Sequence, residues 1–174
     1  MHKVMIDLEA MDTGPNAAII AIGAVMFSDN VTGETFYRSV DLASSMEFGG
    51  TVSASTVMWW LEQSDEARQA LTSGGAIHIL TALYDLLKWL EDQCSDSNQL
   101  EVWGNGAAFD NVVLASAYDR SNWDRPWKFY NDRCYRTVKA MYPDIPVERY
   151  GTAHNALDDA ITQALHLIKI KTPH

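Results

Sequence analysis

A mixed α/β fold, one sheet flanked by helices, is the architecture this sequence predicts. Three observations predict it: strand-like segments crowd the first 42 residues, helical patterning takes over from about residue 53, and a lone strand near residue 100 is followed by further helices.

Residues 4–8 (VMIDL) form an apolar run broken only by Asp7 and read as a buried strand. Residues 17–27 (AAIIAIGAVMF) are small and β-branched, a second strand. Residues 28–33 carry turn chemistry, and 34–42 (ETFYRSVDL) resume with alternation, so the opening predicts antiparallel hairpins. Residues 53–63 and 65–71 read as two short helices broken near Ser64, an N-cap residue. Residues 77–94 are apolar nearly all round, which predicts a largely buried helix with His78 as a satisfied core histidine. Residues 100–103 (LEVW) are a fourth strand, and a helix is expected from about residue 107 to 120. A loop spans 119–126, a short fifth strand is placed near 127–130, and helices are expected over 133–141 and 156–170. His2, His166 and His174 fall in no pattern.

The length of 174 residues suits one domain spanning 1–174 with a single substantial core. No apolar run approaches the roughly 20 residues needed to cross a bilayer, and the opening MHKVMIDLEAMD lacks a signal-peptide layout. Two cysteines, Cys94 and Cys134, are too few for a disulfide framework, and no CxxC pair suggests zinc. A reduced, cytoplasmic protein is expected, in the host cytoplasm if a phage encodes it. Thirteen basic against 23 acidic residues give a net charge of −10. That sign argues against tight, sequence-independent duplex binding, although two divalent ions on acidic ligands would bring it to about −6.

Three segments could carry chemistry. In Asp7-Leu8-Glu9 the two acids sit two apart on a strand and point to one side, and Asp7 occupies a position where a buried strand should be apolar. The same pair also reads as solvated acids at a strand end. Asn105-Gly106-Ala107-Ala108-Phe109-Asp110 links a strand to a helix, where Asp110 is either a functional acid or an ordinary first-turn residue favoured by the helix dipole. His154-Asn155-Ala156-Leu157-Asp158-Asp159 opens the last helix and reads equally as capping. The apolar face drawn by Leu157, Ile161, Ala164, Leu165 and Ile168 does not favour an inward Asp159. Taken together, hard oxygen ligands without thiols suit Mg²⁺ or Mn²⁺. Four carboxylates and a histidine are also the set that two-metal phosphodiester hydrolysis requires.

In this order the segments resemble the Exo I, II and III motifs of the DnaQ-like, DEDDh 3′→5′ exonucleases of the ribonuclease-H-like superfamily. MIDLEAM is similar to the D-x-E motif, NGAAFD to N-x-x-x-F-D, and HNALDD to H-x-A-x-x-D, which selects Asp159 over Asp158. DTGPNAAIIAIGAVMF and STVMWWLEQSDEAR resemble a phage and bacterial, exoribonuclease-like branch. The resemblance implies a ribonuclease-H-like mixed five-stranded sheet. It also implies two Mg²⁺ or Mn²⁺ on Asp7, Glu9, Asp110 and Asp159, with Asp7 bridging both and His154 as general base. The partner it implies is the 3′ end of RNA or single-stranded DNA, its hydroxyl contacted by Glu9 and nearby backbone. Leu8, Ala10, Asn105 and Phe109, within the motifs, are expected to line the substrate site. Trp59 and Trp60 are adjacent on a helix and point about 100° apart, so one can stack on a terminal base while the other packs inward. Other readings are a ribonuclease-H-like endonuclease and a binding or accessory module without turnover. A homodimer is compatible with the sequence but leaves no mark in it.

Overall fold

Alternation along the first strand decides the architecture. In the computed structural model, which describes residues 2–72 and 74–172, strand β1 (His2–Ala10) sends Val4, Ile6, Leu8 and Ala10 into one buried cluster and Met5 into another on the opposite face. Side chains two apart share a face, so Asp7 and Glu9 go with Met5. Strands β2 (Ile19–Phe27) and β3 (Thr32–Ser39) extend the sheet by antiparallel pairing. Strands β4 (Leu100–Gly104) and β5 (Asp132–Cys134) join parallel on the other side, giving the order β3-β2-β1-β4-β5.

Helices cover both faces. Helices α1 (Leu42–Glu47), α2 (Ala54–Leu61), α3 (Asp65–Thr72) and α4 (Ile79–Gln93) follow β3, and α5 (Asp110–Arg120) follows β4. Leu83, Leu86 and Leu90 of α4 meet Val113, Leu114 and Tyr118 of α5 against Val4, Ile6 and Leu8. Helix α6 (Tyr135–Met141) and helix α7 (Ala156–Lys171) hold the second face, where Ala160, Ala164 and Leu167 pack on Met5, Val25 and Phe27. Among the described residues, no helix is long and apolar enough to cross a membrane.

Two glycines set how close the helices come. A Cβ on Gly23, the cross-strand partner of Asp7, would lie 2.2 Å from the Ala156 carbonyl carbon at the start of α7. A Cβ on Gly104, the last residue of β4, would lie 2.9 Å from the Cβ of Asp110 at the start of α5. A strand glycine with backbone or Cβ pressed against it marks close approach, here of two helix N-termini onto the sheet.

The structure corrects several expectations. The third strand ends at Ser39 and a short helix follows, capped by Asp41, whose carboxylate accepts the Ser44 N–H at 2.8 Å. The fifth strand is Asp132–Cys134 rather than 127–130, because Phe129–Asn131 makes a 3-10 turn and leaves Phe129 and Tyr130 exposed. Trp127 is fully buried instead, against Tyr118. Helix α4 buries one stripe only, with Tyr84 exposed on its outer side. His78 is not a core residue: it caps α4 from an exposed position, its Nδ1 accepting the Leu80 N–H at 3.2 Å. The buried histidine is His166, whose Nε2–H donates to the Ile145 carbonyl (2.9 Å) while Nδ1 lies 2.8 Å from the Tyr135 hydroxyl. Ser64 does cap its helix, accepting the Ala67 N–H at 3.3 Å.

Candidate active site

The three motif segments converge at the carboxyl ends of the parallel strands β1 and β4, where open α/β sheets place their ligands. Asp7 and Glu9 leave β1 toward α7, and Asp159 comes down from the first turns of α7. Oxygens of these three carboxylates all lie within 4.8 Å of one another. Asp110 enters from the start of α5, its Oδ1 accepting the Leu8 N–H at 3.2 Å. Asp7, Glu9 and Asp110 are buried, and Asp159 is half-buried.

Clustering buried acids is costly, and their protonation shows it. Burial, and then the charges of Asp110, Glu9 and Asp159, push the Asp7 carboxyl well above its ordinary range. Glu9 is pushed up to about 8 by burial and by the Asp159 and Asp110 charges. Asp110 is pushed up to about 7 by burial, against the opposing pull of backbone N–H groups, that of Leu8 first. Only part of this is compensated from within the chain. Gln163 donates Nε2–H to Asp7 Oδ1 at 2.6 Å, and Arg149 pairs with Asp159. Glu9 Oε1 is buried with no partner. A set of hard oxygen donors, one of them unpartnered, fits a hard divalent cation.

Asp159 reaches this cluster because the packed face of α7 is not the one its large residues suggest. Ala156, Ala160, Ala164 and Leu167 are fully buried, whereas Leu165 is exposed. Small residues mark the contact face because they let the helix close onto Gly23, and Asp159 flanks that face beside Gln163, one turn further on. Asp158 points elsewhere: its Oδ2 accepts the Thr152 N–H at 2.8 Å and fills the space where a Gly151 Cβ would be.

His154 stands just before the helix with φ of 62°, a left-handed conformation unusual for a non-glycine residue. Its N–H donates to Asp159 Oδ2 at 3.0 Å, and Asn155 caps the helix by accepting the Leu157 and Asp158 N–H groups. The imidazole is held edge-on to Trp59, with centroids 4.9 Å apart. Trp60 points inward, buried, donating Nε1–H to the Ala10 carbonyl at 3.1 Å. Trp59 is 39% exposed and lines a cleft of about 420 Å³ with Leu8, Glu9, Ala10, Thr56 and Phe109. Of the expected substrate residues, Leu8, Ala10, Trp59, Trp60 and Phe109 therefore border one cleft beside the carboxylates. Asn105 does not; it lines a separate groove. Sequence reasoning missed Gln163 and Arg149, which no motif flags, and Gly23 and Gly104, which strand glycines could have signalled.

The five-stranded mixed sheet thus carries Asp7, Glu9 and Asp159 in one carboxylate cluster at its strand ends, with Asp110 beside them. The profile of the 3′-5′ exoribonuclease Rv2179c-like domain matches residues 2–170, and the chain belongs to that family. It is a 3′→5′ exonuclease, a hydrolase acting on nucleic acid. An exodeoxyribonuclease of Enterobacteria phage T4 is 25% identical over 159 residues, covering 79% of this chain and 70% of the phage protein. The fold is similar to the nuclease domain of 3′hExo, a DEDDh family member bound to rAMP, with TM-score 0.64 and 16% identity over 97% of this chain and 90% of that one. It is also similar to E. coli ExoI from the metal-free form of an ssDNA complex, with TM-score 0.57 and 14% identity, covering 97% of this chain and 38% of that one.

Proposed function

We propose that the chain removes nucleotides from the 3′ end of RNA or single-stranded DNA, with Asp7, Glu9, Asp110 and Asp159 holding two divalent cations, Mg²⁺ or Mn²⁺. The family description supports RNA, and the phage relative supports DNA. The observation that carries the metal reading is the unpartnered Glu9 oxygen inside a buried carboxylate cluster. When bound, the cations supply charge neutralisation at the phosphate undergoing hydrolysis.

The chain's own residues supply the rest. Gln163 fixes one oxygen of Asp7 and the Leu8 N–H fixes one of Asp110, so both carboxylates are oriented before any ligand arrives. Glu9 and the β1 backbone face the 3′-terminal hydroxyl. Trp59 and Phe109 flank the terminal base across the cleft, while Trp60 braces the end of β1 through Ala10. His154, aimed by its left-handed turn and by Trp59, takes the proton from the attacking water. A cytoplasmic location accords with two free cysteines.

The direct test uses RNA and DNA oligonucleotides labelled at the 5′ end, plus a circular strand. The labelled strands are expected to shorten stepwise from the 3′ end, the circle to survive, and excess chelator to stop the reaction until Mg²⁺ or Mn²⁺ is added. Activity that persists in chelator would end the metal reading, and cleavage of the circle would make the enzyme an endonuclease.

A paired substitution tests the third motif. Asp159→Asn is expected to cost several orders of magnitude in rate. Asp158→Asn, which keeps an oxygen for the Thr152 N–H, is expected to cost less than about tenfold. Equal losses would move the ligand assignment off Asp159.

A further inference from the structure

We propose that a second groove, lined by Asn105, Arg136, Lys139 and Tyr142, binds the sugar–phosphate backbone of the strand on the 5′ side of the scissile bond. The inference rests on the exonuclease reading above and extends it to the remainder of the strand.

Charge is the first argument. In a chain of net charge −10, most cations are neutralised where they stand. Lys3 and Lys171 share Asp29, Arg38 meets Asp85, Arg133 meets Glu101, Arg149 meets Asp159 and Lys169 meets Glu148. Arg136 and Lys139 make no ion pair among the described residues, and both are exposed. They lie three apart on α6, so they share one face of the helix and open into one groove of about 610 Å³. Two neighbouring cations on an acidic surface give a polyanion a favourable place to lie.

Position is the second argument. The groove and the Trp59 cleft lie at the two ends of one loop: Asn105 lines the groove and Phe109 lines the cleft. Asp110 follows Phe109, and the Arg136 charge is felt at its carboxyl. The Arg136 guanidinium carbon lies 3.7 Å from where a Gly106 Cβ would be, so the cation sits over the loop itself. A strand whose last nucleotide fills the cleft passes the carboxylates and leaves toward this groove. Tyr142, 44% exposed at its edge, offers a ring on which a base can stack. Substitutions at Arg136 and Lys139 are therefore felt only on strands long enough to reach the groove.

The test compares the wild type with Arg136→Ala/Lys139→Ala on a dinucleotide and a 12-mer. The 12-mer is expected to lose roughly ten- to a hundredfold in kcat/KM, through KM, with the dinucleotide losing far less. The salt dependence should also flatten, by about 1.4 in the slope of log kcat/KM against log salt, at roughly 0.7 for each of two phosphate contacts. Binding of a fluorescent 12-mer in chelator reads the groove without turnover and is expected to weaken about tenfold. Equal losses on both lengths, an unchanged slope, or unchanged 12-mer binding would each overturn the proposal. A wild type that binds the 12-mer through these residues yet never shortens it would overturn the exonuclease reading and leave the groove standing. Tighter binding of an acidic peptide than of the 12-mer would assign the groove to a protein partner instead.

Discussion

Asp7→Ala is expected to abolish nucleotide release while raising the thermal stability of the metal-free protein. The two effects share one cause. Asp7 is buried against Glu9, Asp110 and Asp159, so its charge serves a cation and strains the fold without one. The pH dependence follows from the raised carboxyls. Glu9 at about 8 and Asp110 at about 7 lie above their values in the unfolded chain, near 4, so the folded state binds more protons than the unfolded state. Their stabilisation is complete below about pH 4 and is lost as pH rises through 7 and 8. In chelator, the melting temperature of the wild type is therefore expected to fall between pH 5 and pH 8. Metal should restore it, and restore it more at pH 8, by binding the folded state. Asp7→Ala should flatten the decline, because one of the repelling charges is gone. Melting curves of both proteins at the two pH values check this, and a wild-type curve as flat as the mutant's would refute the clustered-charge account.

His154→Ala is expected to lower the single-turnover rate by about 10²–10⁴-fold, the range general-base catalysis contributes, while metal affinity is retained. The left-handed backbone complicates the alanine variant, since an alanine at φ of 62° is strained and the N–H of this residue holds Asp159. His154→Asn separates the two effects, because asparagine tolerates that conformation and lacks the imidazole. Both variants should lose rate together. If asparagine retained the wild-type rate, His154 would serve the turn and not the chemistry.

The order of the three motifs made the site legible through its resemblance to the DEDDh exonucleases, since each segment by itself also read as a solvated acid pair or as helix capping. The element order by itself made the sheet legible. What stayed hidden depends on contacts between distant segments. The face of α7 was misjudged because large apolar residues usually mark a buried side, whereas here alanines do, and Leu165 faces solvent. His78 and His166 exchanged roles for a related reason. A histidine at the head of an apolar segment looks buried, yet a cap must stand at the helix end, while the partners of His166 come from α6 and from Ile145. Gln163 shows the limit most clearly: nothing local distinguishes it, and its importance comes from Asp7, 156 residues away.

Gly23 and Gly104 give the site a dimensional tolerance that no acid supplies. Ordinary contact begins at 3.4 Å, and a methyl on Gly23 would stand at 2.2 Å from the backbone of α7, so even alanine would drive that helix out by more than 1 Å. A small cation such as Mg²⁺ accepts oxygens only within a few tenths of an ångström of about 2.1 Å. The spacing of the carboxylates is therefore set in part by two residues that carry no donor atom: Gly23, against the backbone of α7, and Gly104, against the Asp110 and Asn111 side chains.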